Sequence, residues 1–137
     1  MKVLYLTEVT STGGRDGRVR SSDGVLDMEL TSPRELGGKG GQLPNPEQLF
    51  GAGYAACFNN TLIYEGRKHK FATDDAVVTA QIGFATAAEG NSLTVALTVS
   101  LPSLSRPDAL KLVEECHRLC PYSRAIRNNI DVGITVL

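Results

Sequence analysis

The residue types most able to do chemistry in this chain are its three cysteines, Cys57, Cys116 and Cys120. A thiolate is a nucleophile and a metal ligand, whereas the protonated thiol is neither to any useful degree. Cys57 lies in Leu49–Phe58, ten residues without a charge. The simplest account of such a cysteine is a small buried hydrophobe. Cys120 opens Cys120-Pro121-Tyr122-Ser123, and its simplest role is packing at a helix end. Two features point past packing. Asn59 and Asn60 follow the apolar run at once, and the chain holds no other nucleophile, triad or carboxylate pair at a recognisable spacing. A metal site is the competing use. Cys116-His117-x-x-Cys120 puts two thiols at i and i+4. Structural zinc commonly takes four ligands in two short-spaced pairs. Only one such pair exists here, His69 and His117 are the only histidines, and His117 projects about 100° away from its neighbour Cys116 on a helix.

These residues must be held by something, and 137 residues suit one compact domain spanning 1–137. Hydrophobic residues make up 42% and charged residues 21%, which excludes a disordered tail. No apolar run approaches the ~20 residues of a bilayer helix. Fourteen basic against fifteen acidic side chains give a net charge of -1, without the cationic excess that nucleic-acid binding needs. The opening MKVLYLTEVT lacks the apolar core and small-residue cleavage site of a signal peptide. With an odd number of cysteines, that leads us to expect a reducing, cytoplasmic setting rather than a disulfide scaffold.

The patterning predicts α+β, in the order βββ-α-ββ-α-β. Lys2–Val9 is apolar and β-prone, Ser11–Gly14 reads as a turn, and Gly17–Ser22 with Val25–Leu30 reads as a hairpin across Asp23-Gly24. The glycines at 37–41 lack the GxxxxGK[ST] pattern of a phosphate loop and read as a plain loop. Asn45-Pro46-Glu47-Gln48 is a helix start, with Asn45 as cap, Pro46 at the first position and Gln48 closing a capping box. The helix extends to about Lys68. Its uncharged first half predicts burial on all sides. Alternation marks strands over Val78–Phe84 and Leu93–Leu101, and Val132, Ile134 and Val136 mark a last one. Ser105-x-x-Asp108 caps a second helix with an apolar stripe of Leu110, Val113, Cys116, Leu119 and Cys120. Pro121 ends it, and a short helical turn follows over 122–128.

Together these motifs resemble the organic hydroperoxide resistance (Ohr) branch of the OsmC/Ohr family. The segments are Gly13-Gly14-Arg15-Asp16-Gly17-Arg18, Ser22-Asp23-Gly24-Val25-Leu26-Asp27, Ser32–Gly38, Asn45–Phe58 and Cys120–Ser123. They occur in order over nearly the whole chain. The resemblance implies a dithiol-dependent peroxidase that reduces organic hydroperoxides to alcohols. By motif match Cys57 is the peroxidatic cysteine, Cys120 the resolving one, Arg15 the catalytic arginine and Glu47 its carboxylate partner. It further implies an intertwined homodimer with sites at the subunit interface, no bound cofactor or metal, and a lipoyl group on a protein as reductant. The chain departs from the family pattern at Asn59-Asn60, Arg124 and Ile126.

The chemistry makes those four residues a coherent set. Burial raises a thiol's pKa and silences it. Cys57 lies too far into its helix for the dipole of the first turn to help. A fixed guanidinium at Arg15 would hold the thiolate and polarise the peroxide, with Glu47 holding the arginine. The sulfenic acid left on Cys57 is guarded from further oxidation by a second thiol that closes a disulfide. Cys116 reads as a packing residue, and Leu36, Phe50, Tyr54 and Phe58 as walls for an apolar substrate. Ten residues separate Glu47 from Cys57, a rise of about 15 Å on one straight helix. Either the helix breaks at Gly51 or Gly53, or two chains build each site. A non-catalytic binding module and a Cys/His metal or redox sensor remain the competing functions.

Overall fold

The computed structural model describes all residues, 1–137, as two compact units, 1–49 and 50–137. The first unit is a small antiparallel sheet of β1 (Val9–Thr12), β2 (Arg18–Ser21) and β3 (Asp27–Glu29). Its tight turns follow from local chemistry. At 22–26 the Asp23 carboxylate accepts from the Val25 N–H at 3.0 Å, and Gly24 adopts φ 74°. Between β1 and β2 the chain makes a 3₁₀ turn, Gly14–Asp16. A Cβ at Gly17 would run into the backbone of Thr12 and Gly13, so only glycine lets the chain double back there.

The first strand is shifted from its expected place. Residues 1–8 form no element, and Val3, Leu4, Tyr5 and Leu6 are 71–86% exposed. The strand is Val9–Thr12 instead, over part of the expected turn. Its position is dictated by pairing with β2, in the register Val9↔Ser21 to Thr12↔Arg18. High β-propensity in Lys2–Glu8 makes no strand without a partner to complete the ladder.

The second unit is a sheet in the order β4-β5-β6, packed with helices. The sheet strands are β4 (Val77–Ala87), β5 (Gly90–Ser100) and β6 (Val132–Val136). β4 and β5 pair antiparallel from Val77↔Ser100 to Ala87↔Gly90, and β6 adds parallel to β5. The parallel pair follows from the helical crossover α2 (Arg106–Leu119) and α3 (Pro121–Ile126), which returns the chain to the same end of the sheet. Val95, Leu97 and Val99 of β5 and Leu112, Val113 and Cys116 of α2 form the core with one face of α1 (Pro46–Lys68).

The start of α1 is capped as its sequence predicts: the Gln48 N–H donates to Asn45 Oδ1 at 2.9 Å, and the Asn45 N–H donates to Gln48 Oε1 at 3.1 Å. The helix runs unbroken through Gly51 and Gly53. Its burial departs from expectation. Gly51, Tyr54, Phe58, Thr61 and Leu62 face inward, but Ala52, Ala56 and Asn60 are exposed. One chain covers one face of a helix whose other face is small and uncharged. No helix is long and apolar enough to cross a membrane.

The stripe of α2 is also corrected. Leu112 is 0% exposed, whereas Leu110 is 46% exposed and Leu119 is only partly covered. The buried face runs Ala109, Leu112, Val113, Cys116, the i, i+3, i+4, i+7 rows of one helix side. Leu112→Ala should therefore cost about 2–5 kcal/mol and Leu110→Ala under about 0.5 kcal/mol. Urea unfolding of the two variants checks this, and equal losses would refute the register.

Candidate active site

Cys57 and Cys120 are brought together. Cys57 projects from the middle of α1, and Cys120 occupies the one residue between α2 and α3. Pro121 produces that junction: it excludes the helical region at the residue before it, and Cys120 accordingly has ψ 127°. The chain turns on Cys120 and restarts at once, with the Cys120 N–H donating to the Cys116 carbonyl at 2.7 Å and the Arg124 N–H donating to the Cys120 carbonyl at 2.9 Å. The turn aims the thiol at α1, where the Cys120 S–H donates to Cys57 Sγ over 3.8 Å.

The two thiols differ in access. Cys120 is fully buried and Cys57 is partly open. Burial pushes the Cys57 thiol above its ordinary pKa, and a charge on Cys120 pushes in the same direction; the Tyr122 backbone N–H opposes both by hydrogen bonding the thiolate. Tyr122 itself lies over α1, and a Cβ at Gly53 would meet its ring at 3.1 Å and its hydroxyl at 2.7 Å. Its ring stacks at a tilt on Tyr54, with centroids 5.8 Å apart.

Arg15 and Glu47 form the second predicted pairing. The Arg15 fork donates twice, Nη1 to Oε2 at 2.9 Å and Nη2 to Oε1 at 2.6 Å. Asp16 beside it accepts from the Ser32 N–H at 2.9 Å, which ties the turn that carries Arg15 to the loop after β3. Hydrogen bonding from Arg15 holds the Glu47 carboxyl below its ordinary pKa. Its stabilisation is present above the unfolded value near 4.3 and lost as pH falls through the lower folded one. Arg15 is more than a third exposed, so the pair is worth at most about 1 kcal/mol. Its geometry matters more than its energy.

Other expectations separate. Tyr54 and Phe58 are fully buried core residues. Asn59 has a structural task, donating to the Ala76 carbonyl at 3.1 Å. Cys116, His117 and Cys120 do not converge on a metal: Cys116 packs in the core, the His117 ring turns to Ser123, and no three His, Cys, Asp or Glu side chains gather elsewhere. Sequence reasoning missed Ser123, which bonds Tyr54 and His117 at once. The signal available was a serine in the first turn of a helix too short to need it as a cap.

Comparison with known proteins now bears on this arrangement. A model of the OsmC-like protein family matches residues 38–135. The chain belongs to the OsmC/Ohr family. An organic hydroperoxide resistance protein of Xanthomonas axonopodis pv. citri is 43% identical over 136 residues, 98% of this chain and 96% of its own. An organic hydroperoxide resistance protein from Legionella pneumophila superposes with a TM-score of 0.93 at 43% identity, covering 98% of both chains. OhrB of Bacillus subtilis superposes at 0.89 with 36% identity over 98% of this chain and all of its own. These neighbours place the chain in the Ohr branch and share its α+β fold.

The burial pattern predicts an order of reactivity. Cys116 is pushed up to about 12 by burial, and by the nearby charges of Glu65 and Glu115. It stays a thiol throughout the neutral range. Iodoacetamide at pH 8 on the folded, reduced protein should modify Cys57 first and leave Cys116 untouched. Peptide mapping after a short pulse reads the order, and early labelling of Cys116 would refute the packing.

Proposed function

We propose that this protein reduces organic hydroperoxides to alcohols, with Cys57 attacking the peroxide and Cys120 resolving the product. The observation that carries the reading is the 3.8 Å thiol pair with one open and one buried member. The names of the full-length relatives support the substrate class. The Cys57 thiolate attacks one peroxide oxygen, the O–O bond breaks, and the departing alkoxide takes a proton to become the alcohol. The sulfenic acid on Cys57 is then attacked by Cys120, closing a disulfide and releasing water. Restoring the thiols takes two electrons from an external dithiol by exchange, for which a lipoyl group on a protein is suited. Both electrons pass through sulfur, so the cycle needs no flavin, haem or metal. Such a cycle fits the reducing cytoplasm.

Raising Cys57 by burial makes a cation obligatory, and Arg15 in its Glu47 fork is the group we assign to it. We assign that pair to the Cys57 of a second chain. The unbroken α1 removes the alternative of a helix break between Glu47 and Cys57. The open Ala52–Ala56 face and the exposed Val3–Leu6 segment are apolar surface that a second copy would cover. A two-fold homodimer then carries two equivalent sites. The metal-sensor reading has no converging ligands to rest on, and the binding-module reading leaves the paired thiols without a use.

Mass spectrometry after one equivalent of tert-butyl hydroperoxide tests the thiol roles. Wild type should lose two hydrogens as an intramolecular disulfide, Cys120→Ser should gain oxygen on Cys57, and Cys57→Ser should do neither. A Cys116–Cys120 disulfide in wild type would remove Cys57 from the peroxidatic role. Mixing an Arg15→Ala chain with a Cys57→Ser chain tests sharing. Shared sites concentrate both lesions in one site and restore activity at the other. Sites built within one chain stay dead in the mixture.

A further inference from the structure

Two rungs join α1 to the segment that follows α2. One is the thiol pair, Cys57 with Cys120. The other is a hydrogen bond of 2.7 Å between Tyr54 Oη and Ser123 Oγ. Tyr54 and Cys57 stand three residues apart on α1, neighbours on one side of the helix. Cys120 and Ser123 stand three residues apart as well, in the opposite order along the chain. The hydroxyl rung therefore ties together the same two segments as the thiols. Both of its members are buried, Tyr54 at 0% and Ser123 at 1% exposure. Ser123 Oγ also lies 3.0 Å from His117 Nδ1, so one oxygen fastens α3 to α1 and to α2. Phenylalanine at 54 and alanine at 123 would pack there without hydroxyls to satisfy, so burial alone does not call for this pair.

We propose that Ser123, held by Tyr54 and His117, is a positioning residue that keeps the Cys120 thiol within reach of an oxidised Cys57. That role rests on the thiol cycle proposed above and adds what sets the resolving thiol in place. Cys120 belongs to neither helix, being the one residue between α2 and α3. Its carbonyl accepts from the Arg124 N–H of α3, so a shift of α3 is a shift of Cys120. A helix of six residues does not hold itself in place. The anchors of α3 are side chains. Ser123 is one, in its first turn, and the Tyr122 ring against Tyr54 is another. Beyond α3, Arg127 Nη2 donates to the His117 carbonyl at 2.8 Å and to the Arg118 carbonyl at 3.1 Å. Of these anchors, Ser123 alone binds α1 and α2 through one atom.

The donor and acceptor roles close along the bridge. Burial, and with it the charge of Arg127, holds His117 below the ordinary imidazole pKa, so the ring is neutral at pH 7. A ring with its proton on Nε2 accepts at Nδ1 from Ser123, and Ser123 accepts from Tyr54. Burial raises the Tyr54 phenol above its ordinary pKa, against the pull of the Ser123 hydrogen bond, so it stays a donor. The step served is balanced without the bridge. The S–S bond forms as the S–O bond of the Cys57 sulfenic acid breaks, and the hydroxide leaves as water with the Cys120 proton. The bridge sets distance and orientation only.

Rapid-quench analysis of the full-length, reduced protein with tert-butyl hydroperoxide separates attack from resolution. Alcohol formed in the first turnover reports attack, and a mass loss of two hydrogens reports the disulfide. In Ser123→Ala and Tyr54→Phe, attack should stay within twofold of wild type while resolution slows about tenfold or more. Under excess peroxide both variants should collect sulfinic acid on Cys57 that wild type avoids. The double variant separates positioning from stability. Ser123→Ala leaves the buried Tyr54 hydroxyl without its partner, and adding Tyr54→Phe removes that hydroxyl, so the urea midpoint should recover above that of Ser123→Ala. Resolution should stay slow, because the rung is still missing. Leu112→Ala, which loosens the α2 core and spares the bridge, should resolve within twofold of wild type. The positioning role is overturned, and the thiol roles left standing, by any of three results: resolution that recovers with the midpoint in the double variant, an equal slowing in Leu112→Ala, or resolution within twofold of wild type in both single variants. The double variant decides the case should Ser123→Ala fold poorly. Wild type that forms alcohol without a Cys57–Cys120 disulfide would overturn both.

Discussion

The structure turns on a thiol, Cys57, placed where it resists ionisation. Cys57 sits mid-helix against the core, and burial raises its thiol. Each pKa unit of that rise costs about 1.4 kcal/mol of thiolate at fixed pH. The Tyr122 N–H returns part of it through a hydrogen bond. A thiol so placed stays protonated near neutral pH unless a cation stands beside it. The two-fold Arg15–Glu47 hydrogen bond holds a guanidinium in one orientation, which suits the cation role we propose for it.

The same constraint explains the geometry around Cys120. In the cycle we propose, the resolving thiol must be close but must not compete for the substrate. Pro121 achieves both, since it forces Cys120 out of helical geometry and turns its sulfur inward between α2 and α3. Cys116, one turn earlier, has a regular helical backbone and therefore points with its stripe into the core. One turn of helix and one proline separate an inert thiol from one 3.8 Å from a partner.

What the sequence discloses follows the range of the interaction. The α1 cap, the Ser105 capping box and the Pro121 stop are decided within four residues, and all three appear as read. The β4–β5 hairpin is equally local. Lys2–Val9 misled because a strand is a relation between two segments, and the partner β2 selects Val9–Thr12. The stripe of α2 slipped because Leu110 is apolar and near the right spacing, while the small Ala109 faces the core. The pairs Cys57–Cys120 and Arg15–Glu47 were singled out through motifs, and the structure brings the members of each pair together. The Tyr54–Ser123–His117 line was not, because it joins three helices through residues that are individually ordinary.

The two thiols differ in access, and that difference suits a division of work. Cys57 borders solvent, the opening through which peroxide enters and alcohol leaves in the cycle we propose. Cys120 has no such opening, and full burial withholds it from peroxide. A thiol pair with both members open would expose its resolving cysteine to the very oxidant its partner consumes.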